Sequence, residues 1–210
     1  MDFSAIDWSG VMAAVATIAT AYIAYRQQKE EREAKKREEE AKKREEIAAQ
    51  KIAHKFSTKA KIVGRLWEAL HELSADRVYI VQPHPLTKKM YLSITMEVVR
   101  DGIAIMTDEV QDLRIEEVAV FAKDLATREF LMYNNIEEEV RDKKARAILA
   151  HNGTHSAIIR RLLDEEGEWV GNIICEYTRS AMLDKVNAVF AKQTLAHVAD
   201  NVQYILPDVE

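Results

Sequence analysis

Between Gly10 and Gly64 the chain contains neither glycine nor proline, the two residues that most readily stop a helix. A run this long without a breaker predicts one continuous helix reaching to about Leu73. Its middle, residues 26–46, holds nine basic and eight acidic side chains, a composition that unpaired would favour disorder. Here the charges are ordered: Glu31/Lys35, Glu33/Arg37, Glu38/Lys42, Glu39/Lys43 and Glu40/Arg44 all stand four apart with Glu leading. Each such pair stabilises an isolated helix by roughly 0.2–0.5 kcal/mol. Alanine recurs at 34, 41 and 48, a seven-residue period that gives at most a weak coiled-coil seam. The segment is read as a solvated helical rod or a weak coiled coil.

The stretch before the rod is of another kind. Trp8 to Tyr25 carries no charge, and as a helix these residues would span about 27 Å, close to the roughly 30 Å hydrocarbon layer of a bilayer. Trp8 lies at one end, Tyr22 and Tyr25 at the other, where amphipathic rings suit the headgroup level. Arg26, Lys29 and Arg32 follow. Residues 1–25 are therefore read as a short tail and a single membrane-spanning helix, with the N-terminus outside and the remainder in the cytoplasm under the inner membrane. Gly10 and Ala14, one turn apart, are small enough for two such helices to approach closely. No secretory signal fits, because MDFSAID has acids and no base.

Residues 47–210 form the third segment. Ile52, Phe56, Ile62, Val63, Leu66, Trp67, Leu70 and Leu73 continue the helix with an apolar stripe. Arg77–Gln82 reads as a strand, followed by an alternating strand at 91–98 with Leu92, Ile94, Met96 and Val98 on one side and Tyr91, Ser93, Thr95 and Glu97 on the other. A helix is expected at 109–126, a strand at 129–133, a helix at 136–150, a hairpin of 154–163 and 168–178 around Asp164–Gly167, and a closing helix from Ser180 to about Tyr204. This order predicts an α+β domain, an antiparallel sheet with helices packed on one face and its two end helices side by side.

The stretch from Ser156 to Tyr177, SAIIRRLLDEEGEWVGNIICEY, resembles the GAF domain family: penultimate strand, short turn with Gly167, and a final strand opening on Val170-Gly171. With the strands at 77–82 and 91–96 and the closing helix, the resemblance covers about 60–206. It implies a binding or dimerisation module, often sensory, that holds a small ligand between the sheet and its overlying loops and helices. No ligand residue carries over. The family's cysteine attachment of tetrapyrroles has no counterpart, since Cys175 falls inside the last strand, and the NKFDE signature of its cyclic-nucleotide binders is absent.

Candidate chemistry is sparse. His151 and His155 are four apart, but Asn152-Gly153 between them breaks a helix, so no metal site is expected. The chain shows no G-x-S-x-G, no glycine-rich phosphate loop and no paired acid motif, and neither catalysis nor a cofactor is expected. Arg160-Arg161 could meet an anionic ligand or partner with only one of the two, since neighbours on a strand point oppositely. With 30 basic against 35 acidic residues, a nucleic-acid partner is not expected. Taken together, the segments predict a membrane-anchored GAF-like sensory or regulatory binding module acting through a protein partner or homo-oligomerisation. The alternative is an oligomeric structural or assembly membrane protein, including a phage holin-like or virion-associated one.

Overall fold

In a computed structural model, the described residues are 8–85, 87–180 and 182–207. Helix α1 (Trp8–Glu72) is 65 residues long, as the absence of breakers requires. Of the rod's expected ion pairs, Lys42 and Glu38 meet at 2.7 Å in full solvent, where such a pair contributes little. The chain forms two compact units, Met1–Lys55 and Phe56–Glu210. In the first, the backbone from Trp8 is helical, but the side chains of Trp8, Gly10 and Ala14 lie outside the described ones. Tyr22, Tyr25 and Arg26 are exposed. Among the described residues no helix is long and apolar enough to cross a membrane, so the membrane-spanning reading of α1 gains no support here. Ile47 and Ile52, further along α1, are exposed.

The second unit is built on a six-stranded sheet: β1 (Arg77–His84), β2 (Tyr91–Val99), β3 (Leu113–Arg114), β4 (Phe130–Tyr133), β5 (Ser156–Leu163) and β6 (Trp169–Tyr177), in the order β3-β2-β1-β6-β5-β4. All neighbours are antiparallel. Its helices are the end of α1, α2 (Ala119–Thr127), α3 (Ile136–Glu139), α4 (Lys143–His151) and α5 (Ala188–Val202). The expectation of helices on one face is corrected. Ile62, Leu66 and Leu70 of α1 and Leu195, Val198 and Val202 of α5 cover one face; Phe121 and Leu125 of α2 and Leu149 of α4 cover the other. Both sides of the central strands must therefore be apolar, and β6 is buried at all nine positions.

Strand β2 departs from simple alternation. Ile80 pairs with Met96 but Val81 with Ile94, leaving Thr95 as the extra residue of a β-bulge. The bulge sends Leu92 and Ile94 to the α2/α4 face and Met96 and Val98 to the α1/α5 face, so the expected common face of these four is also corrected. It has a consequence for chemistry, because Glu97 now points where Ile94 does. The expected helix at 109–126 is shorter, since 103–112 is irregular and β3 precedes α2. A helix does not start at Ser180 but at Ala188, where the Asn187 side chain accepts from the Val189 and Phe190 amides. Gly171 is fixed by close approach: a Cβ there would lie 2.8 Å from the Val81 carbonyl oxygen.

Candidate functional site

The α2/α4 face of the sheet lines a partly open cavity of about 40 Å3. Tyr79, Ile94, Met106, Val110, Leu125 and Leu149 are among its walls, and no wall residue is charged. The helices over it are held by polar groups at their ends. A single carboxylate, Asp142, caps α4 by accepting from the Lys144 and Ala145 amides, and its other oxygen accepts from the Val120 and Phe121 amides at the start of α2. At the far end of α2, Asn172 of β6 donates to the Leu125 carbonyl at 3.0 Å, and Arg161 donates to the carbonyls of Ala126 and Thr127. These bonds satisfy helix-terminal groups that would otherwise be orphaned beside the cavity.

Beside the apolar space lies a buried ionic cluster. Arg77 and Glu176 are register partners on β1 and β6, and both are fully buried. The Arg77 guanidinium meets Glu176 at 2.7 Å through Nη1 and lies 3.5 Å from Glu97 through Nε. The Nε–H donates to the Ala104 carbonyl at 3.1 Å, and Nη2 donates to the Asn152 carbonyl at 3.3 Å. Glu176 also accepts from the Tyr79 hydroxyl at 2.6 Å and from Thr154 Oγ1 at 2.8 Å. Burial raises the Glu176 carboxyl above the usual range, against the opposing pull of Arg77 and the hydrogen bonds of Tyr79 and Thr154. Burial, with Glu176 next to it, also pushes the Tyr79 phenol well up. Tyr79 belongs to both halves of the site, its ring in the cavity wall and its hydroxyl in the cluster.

Glu97 ties down the segment that closes the cavity. Its carboxylate accepts from the amides of Met106 and Thr107 at 2.9 Å and from Thr107 Oγ1 at 2.6 Å. At the sheet's other end His84, Ser93 and Asp112 are grouped, with His84 Nε2 2.9 Å from Ser93 Oγ and 3.3 Å from Asp112. A nucleophilic triad would need the carboxylate on the other imidazole nitrogen. Here Ser93 and Asp112 share one, and Ser93 Oγ accepts from the Asp112 amide.

Of the residues singled out from sequence, Trp8, Gly10, Ala14, Tyr22, Tyr25 and Arg26 all belong to the other compact unit. Arg160 and Arg161 do point apart: Arg160 pairs with Glu129 and Arg161 caps α2. The polar side expected for Tyr91, Ser93, Thr95 and Glu97 divides, since Thr95 donates to Gln82 at 2.8 Å while Glu97 enters the cluster. His151 ends α4, and the His155 amide donates to the Tyr177 carbonyl. Among the described residues no group of His, Cys, Asp or Glu is placed to hold a metal. Arg77, Glu176 and Tyr79 were missed as site residues. The sequence signal is a lone charge near one end of each of two largely apolar strands, Arg77 in β1 and Glu176 in β6.

No protein-family profile matches the chain, and no curated protein is similar to it. Solved structures are similar. A GAF domain of Synechocystis, in its photoproduct state, shares 12% identity over 70% of this chain and 90% of its own, with a TM-score of 0.57. A red/green cyanobacteriochrome in its green light-absorbing state shares 14% over 70% and 92%, TM-score 0.56. A phycoerythrobilin-bound GAF domain of a cyanobacterial phytochrome shares 12% over 74% and 88%, TM-score 0.54. The second unit therefore has a GAF-like fold.

Proposed function

We propose that this chain is a sensory binding module that takes a small, uncharged, apolar ligand into the cavity between the sheet and α2/α4, without catalysis. The observation that carries this reading is the cavity itself. At about 40 Å3 it exceeds the roughly 10–15 Å3 that one water needs, and its apolar walls offer a water few partners, which favours an apolar guest. It is far below the roughly 300–1,000 Å3 of sites for larger ligands. A bilin, such as the phycoerythrobilin bound by the similar phytochrome domain, does not fit this space. Cys175 could not tether one there, because its side chain packs with the α1/α5 core on the opposite face. Burial moreover raises its thiol far above the usual range, which leaves it unreactive. Xenon is the direct probe. Under xenon pressure the methyl resonances of Ile94, Leu125 and Leu149 are expected to shift in a saturable way while those of the α1/α5 core stay put. Methyls that remain unmoved would remove the reading.

The same proposal places the module at the inner membrane, as a single-pass protein with its N-terminus outside, acting through a partner or a second copy. The uncharged run Trp8–Tyr25 and the basic flank Arg26, Lys29 and Arg32 support this. Exposed Ile47, Ile52 and Phe56 on α1 support the second copy. After alkaline carbonate washing of vesicles the full chain is expected to stay in the pellet; its release into the supernatant would refute membrane insertion.

A further inference from the structure

We infer that Arg100 couples the roof of the cavity to the last turn of α1, so that a change at the cavity is felt by the long helix. This rests on the reading of the cavity as the binding site and concerns how occupancy would be reported. The roof is residues 103–112, whose Met106 and Val110 close the cavity. Its far end is stitched to β2: the Ile94 amide donates to the Val110 carbonyl, Gln111 Nε2 donates to the Ile94 carbonyl, and the Asp112 amide donates to Ser93 Oγ. Its near end hangs from Arg100 through Asp101-Gly102, where Gly102 has φ +83°, a conformation glycine adopts without strain. Between the two, the Glu97 carboxylate latches Met106 and Thr107.

Arg100 serves both sides of that hinge. Its carbonyl accepts from the Ile103 amide at 3.1 Å, the first bond of the roof. Its guanidinium donates to the Ala75 carbonyl at 2.7 Å and to the Leu70 carbonyl at 3.3 Å. The Leu70 carbonyl also receives the Ala75 amide, and Ser74 between them has φ +52°. Arg100 is thus a cation at the α1 C-terminus, on the Leu70 carbonyl that it shares with the Ala75 amide and on the Ala75 carbonyl just beyond the helix, where the helix dipole favours positive charge. Admitting a larger guest requires the roof to move about Gly102. That motion pulls on Arg100, and with it on the cap of α1. By linkage, strain on the α1 end alters the roof equally.

Hydrogen exchange of the full-length chain tests this without any ligand, so its outcome is separate from whether xenon binds. In Glu97→Gln, which weakens the latch but keeps its shape, exchange of 103–109 is expected to rise about tenfold, and that of 69–75 several-fold with it. Thr107→Val, which removes one latch donor, should act in the same direction and guards against a single misfolded variant. Added to Arg100→Met, the latch change should still loosen 103–109 but leave 69–75 no faster than in Arg100→Met alone. The inference is overturned if 69–75 keeps its wild-type exchange while the roof loosens. It is equally overturned if neither latch variant loosens the roof.

Discussion

Replacing Arg77 with methionine is expected to destabilise the second unit by about 3–5 kcal/mol, the usual cost of leaving a buried charge unpaired. The fully buried guanidinium lies between two carboxylates, at 2.7 Å from Glu176 and 3.5 Å from Glu97. Methionine fills much of the space but leaves both acids facing each other without a counter-charge. Glu176→Gln should cost markedly less. Its single amide oxygen can still accept from Thr154 and Arg77, its NH2 can donate to the Tyr79 hydroxyl oxygen, and Arg77 still faces Glu97. The pH dependence has a definite sign. The folded-state value of Glu176 already lies above its ordinary 4.5, and losing Arg77 raises it further. A carboxyl raised in the folded state favours folding when protonated, and that contribution is lost as pH rises through its folded value. The Arg77→Met deficit should therefore be smallest below the ordinary value and grow toward neutrality. Urea unfolding followed by tryptophan fluorescence at acid and neutral pH measures it. A deficit under about 1 kcal/mol, or one independent of pH, would mean the cluster is solvated in solution.

The cluster was hidden for the reason that makes it costly. Arg77 and Glu176 each read as a charge at a strand end, where solvent is the ordinary expectation, and only the register of β1 against β6 brings them together. The clean alternation of β2 in sequence puts Glu97 on a polar face; one inserted residue, Thr95, reverses its side. A bulge leaves no mark on composition. The hairpin of β5 and β6, by contrast, was plain in its turn and its apolar runs. Those runs also held the answer to the layer question. Strand β6, apolar on both parities from Trp169 to Tyr177 apart from Asn172 and Glu176, signals a strand covered on both faces. The roof misled in the opposite way. Val110, Leu113, Val118, Phe121 and Leu125 repeat at near-helical spacing and all line one cavity, yet only Phe121 and Leu125 lie on α2.

Leu125→Ala is expected to cost about 2–5 kcal/mol and, in exchange, to admit a guest the native cavity refuses. Leu125 is 1% exposed and forms part of the cavity wall on α2, so the cost is the lost transfer free energy plus that of the enlarged void. Its backbone carbonyl keeps the bond from Asn172, which holds the end of α2 in place and keeps the void from collapsing. Enlarged in this way, the space approaches the size at which an apolar void binds benzene. Benzene should therefore raise the melting temperature of the variant and leave that of the native chain unchanged. The expected shift grows with benzene concentration, because a ligand that binds only the folded state stabilises it in proportion to RT ln(1 + [L]/Kd). Leu195→Ala, an equal truncation on the α1/α5 face where Leu195 is fully buried, should lose comparable stability and gain nothing from benzene. The contrast between the two separates a pre-existing binding space from the general softness of any truncated core. Equal rescue of both variants would strip the α2/α4 face of its special standing.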